Sequence, residues 1–432
     1  MSYLSTIRVL TIIALLGALA GCAANPVTGR QELVLFQVST SEEISLGQQA
    51  FPRAIQQMGG EYTDLQLAEY VERVGNKLAR VSQRPDLPYQ FKVINDSTPN
   101  AFALPGGHIA ISRGLLSALE NEAQLAAVLG HELGHVTARH SVQAMQRSSL
   151  AGIGMAVLSG QGGYGMVAQR AGQLAAGLLE NTYSREQERE ADRLGVDYLV
   201  LAGYNPQGAV QLQEYFYRKV EQGAEPQWLA GLFRTHPFSK ERMLGLQGYI
   251  GERYPLAGND ASQGFGRQPF ARAMAGVRRV QQGYAIYDQG RQFEGQGQLV
   301  RAIATYLQAA AAAPDQALIL TALGTAYLKA DELVAGQQHL SRAVELDGGY
   351  YRSRLGLGFV LHEQERYAEA IRELEASLAL LPTLQAGYLL GSAYEGNRQM
   401  SQAAGMYRMV AKADPQGRLG KASAARLQEL GQ

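Results

Sequence analysis

A largely apolar run, Val9 to Ala20, lies near the start of the chain, and Arg8 is the only charge in the first 21 residues. Twelve residues are too few for a bilayer-crossing helix, which needs about 20. A basic residue before the run and small residues after it read instead as a secretory signal. No later stretch reaches 18 uninterrupted apolar residues. Residues 22–41, with Asn25-Pro26 and Thr28-Gly29, read as a tether and docking strand. From 42 to 250 helical and strand patterns mix. Leu125, Val128, Leu129 and Val136 recur at helical spacing, and Ser117/Glu120 and Asn121/Gln124 offer capping-box starts before them. Ser184 with Gln187 marks a second helix start, and Asn100 to Ile111 reads as strand. Residues 251–270 (Gly251, Pro255, Gly258, Asn259, Gly264, Pro269) form a Gly/Pro/polar linker. Beyond it the chain turns rich in Ala, Leu and Tyr.

That last part repeats. Ala302, Gly336, Ala370 and Ala403 are spaced by 34, 34 and 33 residues, and Tyr306, Leu340, Leu374 and Tyr407 follow four residues after each. Gly290, Gly324, Gly358 and Gly391 precede them, each followed three residues later by Phe293, Tyr327, Leu361 or Tyr394. Each unit ends at Pro314, Gly348, Pro382 or Pro415. Small residues let two helices approach, large ones fill grooves, and Pro or Gly ends the second helix. The register resembles the tetratricopeptide repeat. It predicts about four repeats over 283–417 and a capping helix to Gln432. The competing reading is a non-repeating helical bundle.

Composition changes the picture in three places. The 39 basic and 39 acidic residues cancel, which argues against nucleic acid as partner. With one cysteine, an intramolecular disulfide, a Cys-based metal site and a CxxC redox motif are all excluded. That cysteine, Cys22, closes Leu19-Ala20-Gly21-Cys22, which resembles a bacterial lipobox; the alternative is a plain signal peptide that happens to contain a cysteine. The lipobox reading makes Cys22 the lipidated first residue of the mature protein. The body without its signal stays near neutral and has no polybasic patch, so the lipid would be the anchor. By resemblance to bacterial lipoproteins, Ala23 after the cysteine implies the outer membrane, facing the periplasm.

The candidate chemistry sits at His131-Glu132-Leu133-Gly134-His135, an HExxH motif. On a helix His131 and His135 share a face, and two neutral imidazoles one turn apart can hold one zinc ion. Glu132 points aside, within reach of a water at that ion. A catalytic site needs a third protein ligand and an open position. Without cysteine it is His, Asp or Glu. Glu188, Asp192 and Gly195 fall on one face of the helix begun at Ser184, so Glu188 can reach the metal and Asp192 can orient a ligand histidine. Glu186 and Glu190 compete for the role. Ala191 and Gly195 are small enough for close helix packing. His140, about 140° around a continuous helix from His135, is expected off the metal. His108 lies on the strand and is expected at most to line the cleft. His339 and His362 are expected on the repeat surface, and Trp228 in the core.

HExxH followed by ExxAD, Glu188 to Asp192, resembles the HtpX-like zinc metallopeptidases, relatives of the CAAX prenyl proteases. The resemblance implies an α+β gluzincin-like metalloprotease domain over 42–250, followed by an all-α tetratricopeptide-repeat solenoid over 271–432. It implies Glu188 as third zinc ligand and Asp192 as its neighbour behind a histidine. Asn100-Ala101-Phe102, with Gly106-Gly107, matches the family's NAF…GG segment, an edge strand suited to pairing with extended substrate. Thr235-His236-Pro237 to Arg242 matches its HPxxxxR segment. A secreted protease domain joined to such repeats further resembles the β-barrel assembly-enhancing proteases. There His236 would occupy the fourth zinc position as an inhibitory ligand, or contact the transition state with Arg242. Implied substrates are unfolded or misassembled envelope proteins, with the outer-membrane assembly machinery as a partner of the repeats. A non-proteolytic scaffold acting through the repeats is the alternative. The glycine-rich segment 150–179 between the zinc helices reads as a mobile lid, a shallow membrane contact or a packed hairpin.

Overall fold

The computed structural model describes residues 21–25, 27–34, 37–147, 183–221, 236, 240–255 and 264–431. The apolar leader, the glycine-rich segment, Trp228, Thr235, Pro237 and linker residues 256–263 lie outside the described residues. The chain divides into two compact units. The first comprises Met1–Ala54, Leu65–Val93 and Thr98–Met274; the second comprises Ile55–Asp64, Ile94–Ser97 and Ala275–Gln432. No described helix is long and apolar enough to cross a membrane.

The first unit begins with an antiparallel pair, β1 (Gly21–Ala24) and β2 (Gln31–Val34), in which Cys22 faces Leu33. Helices α1 (Thr40–Gln57) and α2 (Leu65–Ala79) follow. Leu67, Val71, Val74 and Leu78 form the helical-period stripe that α2 buries. Next come β3 (Gln90–Ile94), β4 (Ala101–Leu104) and β5 (His108–Ser112), in spatial order β3-β5-β4. The central strand β5 is buried at every position. β4 and β5 are an antiparallel hairpin with Ala101 opposite Ile111. Its turn needs glycine at Gly106 and Gly107, whose φ angles are +79° and +98°. A Cβ on Gly106 would lie 2.6 Å from the Ile44 backbone. These two glycines shape the hairpin. His108 is buried against Phe51, with Nδ1 3.1 Å from the Pro105 carbonyl.

After α3 (Arg113–Ala118), helix α4 (Glu122–Thr137) is buried almost all round, as its apolar composition requires. It packs on α2, on β4 and β5, and on α5 (Arg185–Leu201) and α6 (Gln207–Glu221). Helices α7 (Lys240–Arg253) and α8 (Arg267–Ala273) complete the unit.

The second unit stacks helical hairpins: α9 (Ala275–Gly295) with α10 (Leu299–Ala312), α11 (Ala317–Lys329) with α12 (Leu333–Leu346), α13 (Tyr351–Glu363) with α14 (Tyr367–Leu380), and α15 (Leu384–Gly396) with α16 (Met400–Ala413). Helix α17 (Arg418–Glu429) packs on the last pair. The repeating register has a direct physical meaning. A Cβ on Gly290, Gly324, Gly358 or Gly391 would come within 2.5, 2.7, 2.7 or 2.8 Å of Tyr306, Leu340, Leu374 or Tyr407 respectively. Each small residue of a first helix therefore receives the large residue of its own hairpin partner, and Leu340 also reaches Gly356 of the next hairpin. The connections also repeat: Gly297, Asp331, Glu365 and Arg398 have φ of 75°, 64°, 60° and 61°. Only the first of these left-handed positions carries a glycine.

Candidate metal centre

Two capped helices set the site. Asn121 caps α4, its side chain accepting from Gln124 N at 3.0 Å, while Gln124 Oε1 accepts from Glu120 N at 2.7 Å. Ser184 caps α5 in a reciprocal box with Gln187, at 3.2 and 3.1 Å. The helices cross where neither has bulk. A Cβ on Gly134 would meet Ala191 Cα at 2.9 Å, and one on Gly195 would meet the His131 nitrogen at 3.0 Å. That closeness brings Glu188 over the two histidines.

His131, His135, Glu188 and His236 bring one donor atom each to within 4.8 Å of one another. The Nε2 atoms of His131 and His135 are 3.0 Å apart. Glu188 oxygens lie 3.5 Å from His131 Nε2 and 3.4 Å from His135 Nε2. His236 Nδ1 lies 3.1 Å from Glu188 Oε1 and 3.2 Å from His131 Nε2. Tetrahedral metal bonds of roughly 2.0–2.1 Å give ligand–ligand edges of about 3.3 Å. The donor set therefore fits one tetrahedral ion, with His236 at the corner a substrate would need.

Behind these donors stands a charged layer. His131 Nδ1 is 2.9 Å from Asp192 Oδ1. Arg242, buried, donates to Asp192 through Nε at 2.9 Å and Nη2 at 2.8 Å, and its Nη1 is 2.7 Å from Glu188 Oε2. Burial pulls the His131 pKa down, but Asp192 and Glu188 outweigh it and raise it to about 10. Burial leaves His135 well below the usual histidine range. Burial works to raise Glu188, yet the three histidines hold it well below the usual carboxylate range. Asp192 is likewise lowered against its burial, chiefly by Arg242.

Glu132 is buried beside this cluster. Its Oε1 is 3.5 Å from His236 Nε2, and its Oε2 has no hydrogen-bond partner among the described residues. Burial raises its pKa, opposed by His236 and His131. A carboxyl poised upward and aimed at the cluster is suited to exchanging a proton. A cavity of 50 Å³ touches His131, Glu132, Asp192, His236 and Arg242, and Ala101 of the outer strand β4 also lines it. Of the other strand residues, Phe102 packs on Phe51 at 6.2 Å between ring centroids, and Asn100 accepts from Ser112 N.

One neighbour, Tyr183, has no counterpart in the sequence pattern, and His140 sits closer to the site than helical spacing implies. Tyr183 stacks on His135, rings 3.9 Å apart. His140 Nδ1 is 2.9 Å from His135 Nδ1, and His140 Nε2 is 3.1 Å from Glu190 Oε2. The continuous-helix assumption fails at Arg139, whose φ of 58° turns the chain and swings His140 back. His140 is nonetheless outside the metal-holding group. Of the competing carboxylates, Glu186 pairs with Arg30 and Glu190 with His140, so neither is at the metal position.

An HExxH pair completed by a carboxylate from a second helix defines a metallopeptidase-type centre. The family model "Peptidase family M48" matches residues 65–250. Metalloprotease YcaL of Escherichia coli (strain K12) is 30% identical over 192 residues, covering 43% of this chain and 73% of that protein. The chain belongs to peptidase family M48. It is also similar to the β-barrel assembly-enhancing protease of E. coli (strain K12), 27% identical over 229 residues that cover 51% of this chain and 46% of that protein. The mitochondrial metalloendopeptidase OMA1 of Schizosaccharomyces pombe is 33% identical over 50% of this chain and 63% of its own length. The chain thus spans about half the length of the β-barrel assembly-enhancing proteases it matches.

Proposed function

We propose that the chain is a zinc endopeptidase of the bacterial envelope, acting on unfolded or misassembled outer-membrane and periplasmic proteins. The observation that carries this is the donor tetrahedron with the buried Glu132 carboxyl at its side. Three nitrogens and one carboxylate, without sulfur, suit zinc, held by His131, His135 and Glu188. When bound, the ion supplies Lewis acidity, polarising a carbonyl and making water nucleophilic near neutral pH. Glu132 takes a proton from the attacking water and passes it to the leaving amine. Strand β4, through Ala101 and Phe102 with Asn100 just before it, gives an extended substrate an edge to pair with. Replacing Glu132 by Gln keeps the metal and is expected to abolish cleavage of an unfolded protein; normal cleavage by that variant refutes the mechanism.

His236 at the fourth corner supports an inhibitory role, because a substrate carbonyl needs that place. His236→Ala is then expected to raise hydrolysis; a fall would assign it, with Arg242, to the transition state. Cys22 is proposed as the lipidated residue that anchors the protein to the outer membrane in the periplasm. Cys22 pairs with Leu33 inside the tether, and the bond from Asn25 Nδ2 to the Ala138 carbonyl (2.9 Å) docks the tether on the end of α4. Cys22→Ser should release the protein from the membrane fraction.

The repeat unit favours a second reading, a scaffold for clients or for the outer-membrane assembly machinery. Its groove of about 540 Å³ presents Tyr287, Arg291, Tyr306, Lys329, Tyr351 and Phe359. Rescue of a null strain by Glu132→Gln, but not by a repeat-deleted form, would favour the scaffold over the protease.

A further inference from the structure

We infer that His140 and Glu190 form a positioning relay for the metal ligand His135. The inference rests on the zinc reading above. Its ground is a proton count along three buried or half-buried groups.

His135 faces the other donors with Nε2, which lies 3.0 Å from His131 Nε2 and 3.4 Å from Glu188. A ligand nitrogen must present a lone pair, so the ring's one proton sits on Nδ1. That Nδ1–H points at His140 Nδ1, 2.9 Å away. Two ring nitrogens at this distance need one donor and one acceptor, so His140 Nδ1 accepts. The proton of His140 is then on Nε2, which is 3.1 Å from Glu190 Oε2 and donates to it. One tautomer of each ring satisfies every contact, and its direction ends on a carboxylate. His135 and His140 are both 0% exposed, so no water competes inside the relay. Tyr183, stacked 3.9 Å from the His135 ring, prevents that ring from turning away.

The two ligand histidines are thus held differently. His131 rests directly on Asp192, which Arg242 pins. His135 Nδ1 instead meets His140, through which it reaches the Glu190 carboxylate. The local sequence builds this. The left-handed Arg139 ends the regular run of α4 and returns His140 under the helix, while Glu190 sits two residues beyond Glu188 on the next helix. Outer partners of this kind fix the ring orientation and raise the ligand's basicity, and removing them typically costs about 10–100-fold in metal affinity.

The test is zinc affinity of the full chain, by competition with a chromophoric chelator at neutral pH. His140→Phe keeps a ring but offers no acceptor, and should weaken zinc binding by about 10–100-fold. His140→Asn places an oxygen near the lost Nδ1 and should recover most of the affinity, which a packing role would not do. Because the groups act in series, adding Glu190→Ala to His140→Phe should cost nothing further. Affinity of His140→Phe within about threefold of the unaltered chain overturns the relay, as do equal losses in His140→Phe and His140→Asn. If His140→Phe fails to fold, Glu190→Ala decides: an unchanged affinity overturns the proposal and a reduced one supports it. The unaltered chain is measured first. Absence of zinc binding there defeats the zinc reading itself, whereas normal binding with an unaffected His140→Phe defeats only the relay.

Discussion

Arg242 is the side chain on which the charge balance of the centre turns. It is buried and faces two buried carboxylates, 2.7 Å from Glu188 and 2.8 Å from Asp192. Unit charges about 4 Å apart attract by about 4 kcal/mol at an effective dielectric constant near 20. Much of that offsets desolvation while the pairs are intact. Removing one partner leaves the other buried and uncompensated, at a cost of about 3–5 kcal/mol. Arg242→Met keeps the length and apolar stem and removes the charge, so it should destabilise the metal-free protein by that amount. Arg242→Lys keeps the charge but loses the two-pronged contact with Asp192, and should cost about 2 kcal/mol. Urea unfolding with chelator present measures both, in the transition that added zinc shifts. Saturating zinc should shrink the Arg242→Met loss, since the ion brings positive charge to Glu188. A loss below about 1 kcal/mol without metal would refute the argument that Arg242 neutralises this pair.

Metal affinity should rise with pH by about tenfold per unit: His131 holds a proton up to about pH 10 in the metal-free protein, His135 is already neutral, and binding must expel that one proton. Calorimetry in buffers of different ionisation enthalpy counts the proton released. Gly134→Ala should cost about 1–3 kcal/mol and weaken metal binding, because the added methyl meets Ala191 at 2.9 Å and drives α4 from α5. In the repeats, Glu365→Gly and Arg398→Gly relieve left-handed backbone at φ 60° and 61°, and each should stabilise by up to about 1 kcal/mol, read as a raised thermal midpoint.

Local pattern determined the chemistry-bearing helices and the repeats. An HExxH spacing puts two imidazoles on one helix face wherever the helix lies, and Asn121 and Ser184 mark their helix starts by side-chain capping alone. The 34-residue register needed no fold knowledge, because Gly290 and Tyr306, or Gly391 and Tyr407, must meet once each hairpin closes. Which carboxylate faces the histidines was not decided by local pattern, since Glu186, Glu188 and Glu190 lie on one helix. The crossing of Gly134 over Ala191 decided it, turning Glu188 inward and leaving Glu186 to Arg30. Nor could helical periodicity place His140: one left-handed residue, Arg139, cancels the rotation that periodicity assumes. His236 is the extreme case, 101 residues from His135 in the chain, and only tertiary packing sets its Nδ1 3.1 Å from Glu188. Sequence alone determines what each short segment can present, because that depends on bonds and contacts within a few turns. What those segments present to one another is decided by helix crossing and chain return, which act over distances that no local pattern encodes.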